Sequence, residues 1–324
     1  YVKRCLEAGK SVVTSNKELV AEKGAELLAI AKSRNVNFLF EASVGGGIPI
    51  IRPMHLCLAA NQIDEVYGIL NGTTNFILTK MIKEQMPFQG ALSLAQKLGY
   101  AEKNPSADID GIDACRKICI LASLAFGKHV YPKEVYTEGI SKITLEDVAY
   151  AQNAGYVVKL IGQAKRLEGG KSEVMVSPAF VPVENQLSGV DDVFNGVLVK
   201  GDATGEVMFY GKGAGKLPTA SAVVADVVHI AKSQNTSQSL TWEDSAADTV
   251  ADISGYENAF YYRLCGSIAK EELAGLFGKV TCLSRQGQPD DETAFLTGKM
   301  KEAQALAAEQ KLGNVKILGK IRLL

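Results

Sequence analysis

Apolar residues recur along this chain with two periods, near 3.6 and near 2, and the alternation between them marks out its elements. Residues 2–9 read as the end of a helix, followed by a short buried strand, Ser11-Val12-Val13-Thr14. Glu18 to Ser33 reads as a helix, with Leu19, Val20, Ala25, Leu27, Leu28 and Ile30 as its apolar positions. Asn37 to Val44 reads as a second strand, ended by Gly45-Gly46-Gly47. Strand, helix and strand in this order predict a βαβ unit and a parallel pairing, the closing part of a doubly wound α/β domain. Tyr1 opens directly into an amphipathic pattern, which predicts that the chain enters inside such a domain.

From Pro49 the pattern changes. A helix is predicted to about Asn61, then a strand Ile63–Leu70, the polar turn Asn71-Gly72-Thr73-Thr74-Asn75 and another helix. Helices over 88–98 and 111–126 flank a polar loop bearing Glu102, Asp108 and Asp110. A helix at 144–153 and strands at 157–166, 173–183 and 193–199 complete an α+β region. Gly211 to Gly215 then introduces a helix over 219–232, and residues 233–254, rich in Ser, Thr, Gln and Asp, read as a linker. The tail from Tyr256 predicts the order βαββαβ, the ferredoxin-like motif.

Composition narrows the function classes. The chain has 324 residues, 47% hydrophobic and 22% charged, with a formal net charge of -1, so no basic field favours nucleic acid and no acidic excess favours disorder. No apolar run approaches the ~20 residues of a membrane helix, and no signal peptide is visible. Cys115 and Cys119 lie one helical turn apart without a second pair or a suitably placed His, so small core residues describe them better than a zinc site. This cysteine usage predicts a reducing, cytoplasmic setting.

Four features carry candidate chemistry. Gly213-Ala214-Gly215 before a helix can bring backbone N–H groups to an anion or can be a plain turn. Lys17, where a strand gives way to a helix, can face a ligand at the carboxyl edge of the sheet or be an ordinary solvated lysine. Glu41 with the Gly45–Gly47 turn can wrap a hard cation or simply turn the chain. Asp113 and Lys117 share a helix face four residues apart, which suits an exposed salt bridge, but their helix is otherwise apolar. A partly desolvated lysine beside several acids suits a zwitterionic substrate and a proton donor. His55, His129 and His229 form no triad or metal cluster on sequence grounds and read as packing residues.

Together these residues resemble homoserine dehydrogenase. The resemblance lies in Thr14–Lys17, Phe40–Pro49, Gly68–Asn75, Leu98–Glu102 through Asp108, Gly111, Asp113 and Lys117, and Gly213–Val223, in the family's order over about residues 1–235. It implies reduction of aspartate semialdehyde to homoserine with NADP or NAD. Lys117 is implied as proton donor, Glu102 and Asp113 as substrate-binding, and Lys17, Gly99, Gly213 and Gly215 as cofactor-binding. Glu41, Val44, Gly46 and Ile48 correspond to a structural sodium site. The implied architecture is α/β plus α+β: a partial Rossmann-like nucleotide domain at 1–40, to which 206–235 return, a catalytic and dimerisation domain at 41–205, a linker at 236–255 and an ACT-like module at 256–324. Against the family's pattern, the first strand, its glycine fingerprint and the acid or base that distinguishes NAD from NADP are absent from this sequence, which leaves the cofactor preference unread. A homodimer or homotetramer is implied, without nucleic-acid or membrane partners. The tail's first loop, Cys265-Gly266-Ser267-Ile268, lacks the usual Asp-x-Pro-Gly turn, which predicts weak threonine inhibition. Two other readings remain: a semialdehyde dehydrogenase of another kind, using a cysteine nucleophile such as Cys115, and a regulatory amino-acid-binding relative without catalysis.

Overall fold

A computed structural model describes residues 1–233, 240–245, 248–266 and 268–324. After helix α1 (Val2–Glu7), strands β1 (Val12–Val13) and β2 (Phe38–Leu39) pair in parallel, Val12 opposite Phe38. Helix α2 (Lys17–Ser33) connects them, capped by Asn16, whose side chain accepts from the Leu19 amide. Val20, Ala21, Ala25 and Leu28 form its buried face. The predicted βαβ unit is therefore present.

Two predicted elements are shorter than expected. The strand predicted to Val44 stops at Leu39, and Glu41–Ser43 forms a 3-10 turn. The Glu41 amide donates to the Asp226 carboxylate at 2.9 Å, so a side chain takes the bond a strand neighbour would have made. The helix predicted from Pro49 to Asn61 ends at Cys57. Pro53–Cys57 winds as a π-helix, consistent with a proline that has no N–H for the α ladder.

The central sheet is built from β3 (Ile63–Ile69), β4 (Tyr136–Thr137), β5 (Tyr156–Arg166), β6 (Ser172–Pro182), β7 (Phe194–Gly201) and β8 (Gly205–Lys212). Its antiparallel order is β6-β5-β3-β7-β8, with β4 alongside β6. The hydrophobic pattern predicts no strand over 205–212. β8 is an edge strand divided evenly between exposed and half-buried residues, with none fully buried, so it lacks a clean period-2 signal. Helices α3 (Gly72–Glu84), α4 (Phe88–Lys97), α5 (Ser106–Ile109), α6 (Ile112–Phe126) and α7 (Leu145–Asn153) surround this sheet, and α6 packs against β3, β5 and β6. After β8 comes α8 (Lys216–Lys232), from which only Asp226 is buried.

The tail has the predicted βαββαβ order. β9 (Glu257–Asn258) precedes β10 (Phe260–Cys265), α9 (Lys270–Phe277), β11 (Val280–Leu283) and β12 (Glu292–Thr297). β13 (Met300–Lys301), α10 (Glu302–Glu309) and β14 (Lys316–Leu323) follow. The strands align as β11-β12-β10-β14 around an aromatic core of Phe260, Tyr262, Phe277 and Phe295. β14 then pairs in parallel with β6, Arg322 opposite Ala179, so the tail continues the central sheet.

Of the predicted linker, 234–239 and 246–247 lie outside the described residues, and parts of the remainder are packed. Trp242 is buried, donates from its indole N–H to His129 Nδ1 at 2.8 Å, and meets Phe40 edge-on. It fits because residue 24 is glycine: a Cβ there would lie 2.6 Å from the indole. Backbone bonds from His129 to Glu243 and from Ser172 to Thr249 fasten the same stretch. Trp242→Ala is expected to lower the unfolding free energy by about 3–5 kcal/mol. Denaturant titration measures this, and an unchanged midpoint would refute a clamping role for the segment.

Candidate active site

The candidate residues converge where the carboxyl ends of β1 and β3 meet helix starts. Past β1 the chain enters α2 at Lys17; past β3 it reaches Leu70 and Asn71, the N-cap of α3. Asn71 Oδ1 accepts from the Thr74 amide at 2.8 Å, satisfying one open donor of that helix. Its Nδ2 donates to Asp113 at 2.8 Å and to Asp108 at 2.6 Å. Gly111 starts α6 with φ near 84°, placing Asp113 in the first turn and Lys117 one turn later.

Asp113 is the hub. One carboxylate oxygen pairs with Lys17 Nζ at 2.8 Å, and the other with Lys117 Nζ at 2.7 Å. Lys117 also donates to the Leu70 carbonyl at 2.7 Å. Both Asp113 and Lys117 are buried, so the exposed-salt-bridge alternative does not describe them. Burial by itself would raise the Asp113 carboxyl, but the charges of Lys117 and Lys17 outweigh it and hold Asp113 well below the usual carboxylate range. Burial and the charge of Asp113 push the neighbouring Asp108 upward. An ammonium has three donors. With the carboxylate and Leu70 engaged, Lys117 keeps one N–H without an acceptor among the described residues.

Glu102 stands apart from this network. It is exposed on the loop after α4, and its carboxylate accepts no hydrogen bond among the described residues. That loop is fixed by Thr73, whose hydroxyl donates to the Tyr100 carbonyl at 2.7 Å, and Gly99 lies exposed within it at φ 77°.

The two glycine turns, far apart in sequence, pack together. A Cβ on Gly46 would lie 2.5 Å from the Gly213 carbonyl oxygen, and the Gly47 amide donates to Lys212 at 3.0 Å. Gly213–Gly215 leads directly from β8 into α8, whose N-terminus has no side-chain cap. The hydrophobic pattern predicts no strand ahead of this turn; β8 supplies one. Beside Gly213, the buried Asn195 side chain has neither its nitrogen nor its oxygen bonded among the described residues.

Glu41 gathers the amides of Ile50, Ile51 and Arg52 at 2.7–2.8 Å, capping the helical turn there. Burial pushes its carboxyl up against these amides. The buried carbonyls of Val44, Gly46 and Ile48 accept no hydrogen bond among the described residues. No group of three or more His, Cys, Asp or Glu side chains forms a metal cluster among those residues.

Cys115 and Cys119 are free and buried in the α6 core, with the Cys115 thiol directed at the Pro132 carbonyl. This gives no support to a cysteine nucleophile. Among the described residues, no helix is long and apolar enough to cross a membrane.

A sequence model of the family described as Homoserine dehydrogenase matches residues 49–228. The chain belongs to the homoserine dehydrogenase family. The homoserine dehydrogenase of Bacillus subtilis (strain 168) is 50% identical over 232 residues, covering 72% of this chain and 53% of that protein. The Pseudomonas aeruginosa enzyme is 42% identical over 293 residues, covering 88% of this chain and 67% of its own length. The chain thus spans between about half and two thirds of these relatives. The crystal structure of a homoserine dehydrogenase from Thiobacillus denitrificans superposes with a TM-score of 0.88 at 38% identity, over 100% of this chain and 78% of that one. A hyperthermophilic archaeal homoserine dehydrogenase mutant in complex with NADPH superposes with a TM-score of 0.63 at 35% identity, covering 72% of this chain and 67% of its own.

Within this homoserine dehydrogenase fold, Lys17, Asp113 and Lys117 form one network, Gly213 packs on Gly46, and Gly215 is the N-cap of α8. Asn71 and Asn195 did not stand out as site residues in the sequence. An N-cap reading of Asn71, before the helix-starting Gly-Thr-Thr, would have signalled the first; nothing local signals the second.

Asp113→Asn is expected to destabilise the protein by about 3–5 kcal/mol near neutral pH, because Lys117 loses its buried counter-charge. Asp113 is depressed in the fold, so its contribution is complete above the ordinary aspartate pKa of about 4 and fades as pH falls below it. Denaturation of both proteins across pH should therefore show curves that converge in acid. A difference independent of pH would contradict the ion-pair account.

Proposed function

We propose that this chain carries the catalytic portion of a homoserine dehydrogenase, reducing L-aspartate 4-semialdehyde to L-homoserine. The observation that carries this reading is the buried Lys117 ammonium, oriented by Asp113 and Leu70 with one donor to spare. That N–H would meet the substrate's aldehyde oxygen. As negative charge builds on this oxygen, Lys117 stabilises it and passes a proton to it. Asp113 holds the lysine in place and aimed, while the loop carboxylate of Glu102 remains open to the substrate's ammonium group.

NADPH or NADH supplies the hydride when bound. The uncapped start of α8 behind Gly213–Gly215, with Lys212 and Lys216 at its edges and Asn195 unbonded beside it, fits an anionic dinucleotide. Lys17 and Gly99 complete the residues that would hold it. The unbonded carbonyls of Val44, Gly46 and Ile48 with Glu41 suit a hard monovalent cation such as sodium, in a role that ties the two glycine turns together. The tail is read as an ACT-like module with weak threonine response. Ser267 of the loop that lacks the Asp-x-Pro-Gly turn lies outside the described residues.

Lys117→Ala is expected to lower kcat by roughly 10²–10⁴, the range of a positioned general acid. Steady-state homoserine oxidation measures this, and near-normal turnover would remove Lys117 from the chemistry. Glu102→Gln is expected to raise KM for homoserine about tenfold or more through loss of a charge-assisted bond. If KM for the dinucleotide rises instead, Glu102 faces the wrong ligand.

A further inference from the structure

The two acids of the site, Asp108 and Asp113, project from either side of the α5–α6 junction, taken as the last residue of α5 and the turn after it, residues 109–111. That junction lies against the backbone of residues 137–139. A Cβ on Gly139 would lie 2.0 Å from the Ile109 carbonyl oxygen and 2.5 Å from the Asp110 Cα, so only glycine allows the contact. The Ile140 amide donates to Ile109 at 2.8 Å, and the space beside Gly111 is filled by Thr137 and Val176. The junction cannot shift without moving this strip.

The strip is in turn gripped by the tail. Arg322 on β14 is buried and donates to Glu138 at 2.9 Å, while its other nitrogens bond Glu302 at the start of α10. Tyr136 donates to the same Glu138 oxygen at 3.1 Å and lies under the Arg322 guanidinium. Glu138 is thus the one side chain in this strip whose carboxylate receives a cation from the tail, and its own amide donates to Val176 of the central sheet at 2.8 Å.

We propose that Glu138 is a positioning residue: through it the C-terminal tail sets the α5–α6 junction and so the placement of Asp108, Asp113 and Lys117. The links run from Arg322 to Glu138, through the Gly139–Ile109 contact to Asp108, and through Asn71 to Asp113 and Lys117. The kinetic part of this inference rests on the role of Lys117 given above; the mechanical part does not.

The test compares Glu138→Ala and Arg322→Met with Arg263→Met. Arg263 is a second buried tail cation that reaches the central region, but it bonds Asp147 and Thr144 rather than the strip. Amide hydrogen exchange without substrate should quicken at residues 106–114 in the first two variants and stay as in the parent protein in Arg263→Met. Turnover should fall about tenfold in Glu138→Ala with KM for the dinucleotide unchanged, and adding Arg322→Met should lower it no further. If Arg322→Met does not fold, Glu138→Ala, whose side chain is partly exposed, decides alone. Unchanged exchange at 106–114, equal quickening in Arg263→Met, or faster exchange with undiminished turnover would each overturn the proposal. A parent protein lacking dehydrogenase turnover would instead count against the functional reading, while the exchange contrast still judges the coupling.

Discussion

The arrangement of this site depends on one carboxylate held between two ammonium groups. Asp113 is buried, and an ionised carboxylate there is tolerable only because Lys17 and Lys117 approach its two oxygens from different helices. The same condition fixes Lys117, whose buried charge needs both Asp113 and the Leu70 carbonyl. The ion triad therefore ties α2, the end of β3 and α6 into one unit. Asn71 adds to this by capping α3 with its oxygen while its nitrogen links Asp108 to Asp113.

A second constraint is close backbone approach. The Gly46 and Gly213 turns touch at a distance that admits no side chain, which brings the start of α8 to the edge of the βαβ unit. Asp226 reinforces this from within α8, accepting from the Glu41 amide and pairing with Arg52. Glu41 spends its own carboxylate on the next helical turn. Asp226 thus joins segments nearly two hundred positions apart by hydrogen bonds rather than by apolar contact alone, while the Glu41 carboxylate orders its own segment.

The tail is held by a third set of buried charges. Arg263 reaches Asp147 and Glu292, and Arg322 reaches Glu302 and Glu138. Pairing of β14 with β6 makes the connection rigid by adding backbone bonds to side-chain ones. Trp242 fastens the intervening stretch against α2 and His129. A segment rich in Ser, Thr and Asp can still be packed when one large aromatic residue finds a glycine notch.

By itself the sequence determined the strongly periodic elements. The βαβ start, the apolar helix bearing Asp113 and Lys117 and the βαββαβ tail follow from local spacing, because burial on one face imposes its period on the residues. The family resemblance likewise rested on contiguous stretches such as Gly68–Asn75. Tertiary structure alone decided which charges met across remote segments. Lys17 and Asp113 are nearly a hundred residues apart, and no spacing rule connects them. Glu102 reads as a member of the acidic cluster in sequence, yet its loop leaves it in solvent. The strand Gly205–Lys212 was invisible because an edge strand is half exposed throughout, so its pairing partner, rather than its own pattern, makes it a strand. The early end of the Glu41 strand and the gripping of Glu138 by Arg322 have the same origin. Each depends on a partner supplied by a remote segment, and hydrogen bonds between remote segments leave no period in the chain.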